Sequence, residues 1–276
     1  MTVHPADHRP VRIGVQLAPQ HASYATIRDA VRRAEDAGVD AIFNWDHFFP
    51  LTEPFDAEHY EAWTMLASIA ELTEKVELGP LVNCNSYRNA DLQADMARTV
   101  DHISAGADGV GRLIFGTGSG WAEQDYREYG YEFGTVGSRL NDLAADLPRV
   151  RARWAKLNPA PTRHIPILIG GQGEQKTLRM VAQHADIWHT FTPLDKLPHK
   201  IDVLHEWCRT EGRNPADIEL STGFTIRGFG PMREDGGVSK LHDHGFRFFI
   251  PALDGPDFDF AQLTPLLRWR DEVNAG

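Results

Sequence analysis

The chain has 276 residues, 42% of them hydrophobic, and a formal net charge of −11 with no block of lysine or arginine. That balance argues against a nucleic-acid or anionic-membrane partner, since both are held by clustered cations, and it leaves a small-molecule ligand as the expectation. Only Cys84 and Cys208 occur, too far apart to support a disulfide framework or a thiolate zinc site, and no export segment or long apolar run is found, so a cytoplasmic protein is expected.

Short β-branched runs alternate with amphipathic helical patterns along the whole chain, without low-complexity stretches or internal repeats. The strand candidates in chain order are residues 11–18, 41–46, 76–83, 112–117, 165–171, 186–191, 218–228 and 246–253. Between the first two, residues 23–38 read as a helix ending at a Gly38 C-cap. After the third, a helix begins at Asn89 or Asp91 and closes at Gly106. After the fourth strand, residues 121–138 carry three tyrosines, a phenylalanine and three glycines before helical patterning resumes at Arg139, which reads as a lid loop over one end of the fold. After the fifth, a helix is expected to start near Glu174. Eight β-α units in one domain spanning residues 1–276 predict an α/β fold, a TIM (β/α)8 barrel.

In such a barrel the site forms at the C-terminal ends of the strands. The second strand ends in "NWDHFFP", the third in "VNCNSYR", the fourth in "GTGSGWAE", the fifth in "GGQGE" and the sixth in "WHTF". Asp46 closes an apolar strand, where an unpaired acid is costly, so it must accept hydrogen bonds from backbone, His47 or a ligand. His47 is the best-placed acid or base by residue type. His4, His8, His59, His164 and His199 fall in surface segments, and no histidine pair has metal-ligand placement, so no metal is expected. The glycines at 116, 118 and 120, and at 170, 171 and 173, permit positive φ and a close approach of ligand to main chain. Trp45, Phe48, Phe49 and Trp121 could form an apolar rim for a planar ring, Trp63 reads as barrel filler, and His189 could line the mouth or pack.

Several familiar motifs fail. "GTGSGW" keeps only the first two glycines of a dinucleotide fingerprint and follows the fourth strand. Ser119 lacks the glycines of a hydrolase elbow. The first strand has no H-x-H pair, which disfavours a metal-dependent amidohydrolase.

The segments "FNWDHFFP", "LGPLVNCNSYRNADLQADMARTVDHISAG", "RLIFGTGSGWAEQDYREYG", "IPILIGGQGEQKTLRMVAQHADIWHT" and "CRTEGRNPADIELS", running from Val11 to Ser221, resemble the bacterial luciferase-like flavin and deazaflavin oxidoreductases. The resemblance is closest to the branch that uses coenzyme F420, an 8-hydroxy-5-deazaflavin hydride carrier. It implies that Asp46 meets the deazaflavin head and that His47 stands over the reactive carbon. It implies a non-proline cis peptide between Leu81 and Val82, which with Asn83 presses on the back of the ring. Gly118, Ser119 and Gly120 match the loop that hugs the cofactor, and Gly171, Gln172 and Gly173 match its phosphate site.

The expected reaction is hydride transfer between F420 and a small hydrophobic substrate, with His47 as proton carrier. Glu123, Asp125 and Tyr126 are reserve carriers, and Trp121, Tyr126 and His189 form the substrate side. The alternatives are an FMN-dependent monooxygenase and a non-catalytic deazaflavin-binding protein, and a homodimer is implied as the assembly. Two departures stand out: Trp121 replaces the glutamate of the sugar-phosphate dehydrogenases of this group, and the segment 229–245 is short.

Overall fold

A computed structural model of the protein describes residues 9–225 and 237–276. Its strands are β1 (Arg12–Leu17), β2 (Ala41–Asn44), β3 (Glu77–Pro80), β4 (Asn83–Cys84), β5 (Phe115–Gly118), β6 (Ile167–Gly170), β7 (Ile187–Thr190), β8 (Glu219–Thr225) and β9 (Phe246–Leu253). All pairings between them are parallel, in the order β3-β2-β1-β9-β8-β7-β6-β5-β4.

Segments β3 and β4 are the two halves of the single strand expected over residues 76–83, parted at Leu81–Val82, whose peptide bond is cis. The half before the break pairs with β2 and, through a bridge between Leu78 and Leu113, with the run leading into β5; the half after it pairs with β5. That bridge closes the sheet on itself. The fold is therefore the TIM barrel that the β-α count anticipates. The end of the strand expected over residues 218–228 lies outside the described residues.

The helices are α1 (Tyr24–Asp36), α2 (Ala62–Leu72), α3 (Ala90–Ile103), α4 (Glu123–Tyr129), α5 (Val136–Trp154), α6 (Thr177–His184), α7 (Leu197–Glu211), α8 (Gly237–Asp243) and α9 (Thr264–Ala275). Their starts follow local chemistry. Ser23 caps α1 by accepting from the Thr26 amide, and Asn89 caps α3 by accepting from the Leu92 amide. Three expectations need correction. The stretch 121–138 is not one loop: it holds α4, closed by Gly130 at φ 74°, and the start of α5. Helix α5 begins at Val136 rather than Arg139, because Thr135 and Ser138 form a capping box ahead of it. Helix α6 begins at Thr177, about a turn later than Glu174.

The apolar residues divide by face, as strand alternation requires. Ile13, Val15, Leu78, Phe115, Ile167, Ile169 and Trp188 join the helices in an outer core, while Phe43, Leu81, Ile114, Leu168, Ile187, Phe248 and Ile250 fill the barrel interior. At the N-terminal pole, Arg12 pairs with Glu77 and Glu219, Arg163 pairs with Glu77 at 2.9 Å, and the Arg12 guanidinium lies 4.0 Å from the centre of the Phe248 ring. That pole is plugged by charge, which leaves the other end for a ligand.

The glycines of strands three and five are required by the protein's own atoms. A β-carbon on Gly79 would lie 2.2 Å from the Ile114 carbonyl oxygen, and one on Gly116 would lie 2.1 Å from that of Pro80. The obstacle is main chain on both sides and cannot swing away. Gly116→Ala is expected to lower unfolding stability by at least the ~1–3 kcal/mol typical of overpacking. Gly137→Ala, on the first turn of α5 where an added methyl meets only Thr135 Oγ1 at 3.6 Å, should be neutral or slightly stabilising. Urea denaturation of both variants checks this contrast.

Candidate active site

The end of β2 turns sharply, and each residue of "NWDH" is tied to a different partner. Asn44 donates to the Ala62 carbonyl at 2.9 Å, anchoring the strand to α2, and Trp45 donates its indole N–H to His59 Nε2 at 3.1 Å. Asp46 is fully enclosed and receives the fork of Arg88, at 2.7 Å on Oδ2 and 3.0 Å on Oδ1, together with the Cys84 amide at 2.9 Å. Two short N···O contacts to one carboxylate make a bidentate ion pair. Burial pushes the Asp46 carboxyl up against the pull of Arg88. The guanidinium is held above its ordinary value by Asp46 and Glu61 in spite of its own burial. Asp46 thus borders the cavity with its oxygens already engaged, tying β2 to the turn after β4.

His47 is the next residue, buried and on the cavity wall. Its Nδ1 lies 2.6 Å from Asp125 Oδ2. The same oxygen accepts from the Tyr87 hydroxyl at 2.9 Å, and Asp125 Oδ1 accepts from the Phe48 amide at 3.1 Å. Burial alone would raise Asp125, but the bond and charge of His47, with the Phe48 amide and Tyr87, outweigh it and hold the carboxyl below its usual range. Burial chiefly, with Cys84 and Asp125 adding to it, pushes the Tyr87 hydroxyl up, so it stays a donor. The indole of Trp121 meets the His47 ring edge-on at 5.3 Å.

The Leu81–Val82 bulge lines the same cavity as His47, and the Leu81 carbonyl accepts from Gln16 at 2.8 Å. The glycine run after β5 passes directly over it. A β-carbon on Gly118 would lie 2.8 Å from Val82 Cγ2, and one on Gly120, at φ 77°, would lie 2.0 Å from the Tyr126 hydroxyl and 2.5 Å from Cys84 Sγ. These positions line the cavity, yet side chains are excluded there first by neighbouring protein atoms, a reason the sequence reading did not foresee. Asn83 also borders the cavity, but its side chain is spent on the core, accepting from Trp63 Nε1 at 2.8 Å and donating to Gln93 at 2.9 Å.

The resulting cavity has a volume of about 370 Å³, enough for a flat ring system. His47, Leu81, Val82, Gly118, Ser119, Gly120, Trp121, Gly171 and His189 all face it, so most of the expected positions converge on the barrel's C-terminal end. His189 Nδ1 is 2.9 Å from Ser221 Oγ, while its Nε2 is buried without a hydrogen-bond partner. Burial depresses its pKa to about 3, so the ring is neutral. Trp121 and Phe191, 66% and 68% exposed, flank the mouth, and the Phe191 ring meets that of His189 edge-on at 5.1 Å.

Two expectations do not hold. Glu123 is exposed on the first turn of α4 and outside the cavity wall; residues two apart on a helix face about 200° apart, and it is Asp125 that turns inward. Tyr126 is fully buried behind the wall, its hydroxyl bonded to the Ser119 carbonyl and to Cys84 Sγ, so it offers no surface to a substrate. Gln172 and Gly173, the rest of the expected phosphate site, are exposed just outside the cavity and ahead of α6, where Gln172 accepts from Thr192 and a β-carbon on Gly173 would lie 2.9 Å from Thr177 Oγ1. His59 is half-buried in an otherwise largely exposed segment, and burial first, then the charge of His47, lowers its pKa to about 4.

Arg88, Tyr87, Cys84 and Phe191 were missed. The first two had a signal, since "NSYR" follows a strand end, but their partners lie on other strands. Among the described residues no cluster of His, Cys, Asp or Glu could hold a metal, and no helix is long and apolar enough to cross a membrane.

The neutral His189 has a consequence for stability. An exposed imidazole titrates near 6.5 and the folded one near 3, so between these values the unfolded chain binds more protons. Its contribution is complete above pH ~6.5 and is lost as pH falls through that window, on the order of 3 kcal/mol by pH ~4. Urea midpoints are expected to drop over this range, and His189→Gln should flatten the slope.

Comparison with known proteins follows from this geometry. A family model described as luciferase-like monooxygenase matches residues 8–226. The pyrimidine monooxygenase RutA of Allorhizobium ampelinum is 27% identical over 184 residues, covering 59% of this chain and 48% of that protein. The F420-dependent glucose-6-phosphate dehydrogenase of Amycolatopsis mediterranei is 25% identical over 181 residues, covering 59% and 52%. The chain thus spans about half the length of these two relatives. Among solved structures, an F420-dependent secondary alcohol dehydrogenase in complex with an F420-acetone adduct superposes with a TM-score of 0.76 at 17% identity, covering 92% of this chain and 96% of that one.

Proposed function

The chain belongs to the luciferase-like monooxygenase family, whose matched members are oxidoreductases and monooxygenases, and from that premise we propose that it transfers hydride between coenzyme F420 and a small apolar organic substrate. The observation that carries this reading is the shape and chemistry of the crown: a slot with bare main chain on one side, a proton-carrying histidine on another, and a buried imidazole nitrogen still awaiting a partner. An unpaired buried polar atom costs free energy, and a ligand that hydrogen-bonds His189 Nε2 recovers it.

The residues present suit a planar deazaflavin. The main chain of Gly118, Ser119, Gly120 and Gly171 would hold it, with the Leu81–Val82 bulge behind the ring. When bound, the deazaflavin supplies or accepts a hydride at its ring carbon. The protein's part is to orient substrate, exclude water and move a proton. His47 gives that proton when a polarised double bond is reduced and takes it when an alcohol is oxidised. Trp121 and Phe191 supply apolar surface at the mouth, which favours a nonpolar or aromatic substrate. Trp121 in place of an acid leaves no carboxylate on that wall for a sugar hydroxyl.

The likeness to a pyrimidine monooxygenase supports oxygenation as the second reading, with FMN as its cofactor in our proposal. Parallel titrations with F420 and FMN, followed by quenching of tryptophan fluorescence, distinguish the two. F420 is expected to bind at least tenfold more tightly; tighter FMN capture overturns the choice. His47→Ala is then expected to keep F420 affinity within about threefold while slowing reduction of cyclohexenone by reduced F420 about 10²–10⁴-fold. Unchanged turnover in that variant removes His47 from the chemistry, and no turnover in the parent chain with any activated alkene or ketone favours a carrier.

A further inference from the structure

We infer that Asp125, braced by Tyr87 and the Phe48 amide, is a positioning residue that fixes His47 as its Nδ1–H tautomer and so turns Nε2 toward the cavity. The inference deepens the redox reading, in which His47 handles the proton, and it rests on contacts that connect three separate parts of the chain.

An ionised carboxylate can only accept hydrogen bonds. Asp125 receives the Phe48 amide on Oδ1, and the Tyr87 hydroxyl together with His47 Nδ1 on Oδ2. With the carboxylate ionised, Nδ1 must carry the hydrogen at a contact of 2.6 Å. In the neutral ring the lone pair then belongs to Nε2, which has no partner among the described residues. A ring held the other way would set two lone pairs against each other at Nδ1.

The brace is rigid. The Tyr87 ring packs on Phe48 at 4.7 Å, Tyr126 at 5.2 Å and Tyr131 at 5.3 Å, and Phe48 stacks on Tyr129 at 3.9 Å. Helix α4 is fastened at its far end by Gly130, whose N–H bonds the Tyr126 carbonyl. The groups facing His47 are Asp125 of α4, His59 ahead of α2, Tyr87 through Asp125, and the ring of Trp121. The preceding Asp46 is neutralised by Arg88. Asp125 is therefore the one anion in this group directed at the imidazole.

Asp125→Asn separates positioning from mere packing. The asparagine oxygen can keep the Phe48 amide bond, but its NH₂ then faces Nδ1 and donates, so the favoured tautomer is inverted. Long-range ¹H–¹⁵N NMR of the full chain labelled at histidine nitrogen reads this directly. In the parent chain the neutral ring is expected to show a protonated Nδ1 and a bare Nε2, and in Asp125→Asn the two signals should exchange. Turnover of cyclohexenone with reduced F420 should fall at least 100-fold, with F420 affinity within threefold. Tyr87→Phe, which removes one brace and keeps the anion, should retain the tautomer and lose about 3–10-fold in turnover.

A parent chain with Nε2 protonated overturns the inference, and so does an Asp125→Asn variant whose tautomer or turnover is unchanged. Should Asp125→Asn fail to fold, the parent spectrum and Tyr87→Phe still decide. Absence of turnover in the parent chain counts against the redox reading alone, because the tautomer is read without substrate.

Discussion

The crown of this barrel depends on how closely two strands approach. The chain between Pro80 and Cys84 bulges inward, and the run from Gly116 to Gly120 lies against it so tightly that added methyl groups would meet Pro80 O, Val82, Cys84 and Tyr126. Had either run kept a regular pleat with side chains, Leu81 and Val82 could not reach the barrel interior, where they pack in one cluster with Phe43, Ile114, Leu168 and Phe248. Leu81 and Val82 also line the cavity. His47 and His189 share that lining.

The same approach explains why the polar groups around the site are paired as they are. Splitting the third strand exposes the Cys84 amide, which Asp46 accepts, and Asp46 in turn needs a cation in so enclosed a place. Arg88 meets that need and extends to Glu61, the N-cap of α2, which its two oxygens hold through the Trp63 and Thr64 amides. One ion pair thereby ties the ends of strands two and three to the helix between them. Asp46 belongs to this frame, and its neighbour His47 is left on the cavity wall.

Periodicity made the barrel legible, because each strand is buried among apolar neighbours and each helix has an apolar stripe with caps such as Ser23 and Asn89. The positions of His47, Leu81, Gly118, Trp121 and His189 at strand ends could likewise be read in one dimension, since the barrel brings consecutive strand ends to one pole. What could not be read was partnership across strands. Nothing near Asp125 in the chain distinguishes it from Glu123; only the winding of α4 against the end of β2 turns one inward and the other to solvent. Arg88 and Tyr87 stand within an ordinary polar stretch until Asp46 and Asp125 arrive from elsewhere. The glycines were legible as positions, but the reason for them was hidden, because the atoms that exclude their side chains come from the third strand and from α4.

The two histidines on the cavity wall have opposite surroundings, and this gives the site a direction. His47 has a carboxylate on its far side, so gaining a proton at Nε2 creates a charge that Asp125 balances. His189 has only the Ser221 hydroxyl and is otherwise enclosed by uncharged atoms, so gaining a proton there would bury an unbalanced cation. On the proposed reading, the proton that enters or leaves the bound molecule therefore passes on the His47 side, while His189 only hydrogen-bonds a neutral group. The substrate of that reading presents its reacting bond to Trp121 and His47, and His189 hydrogen-bonds the neutral partner it reacts with.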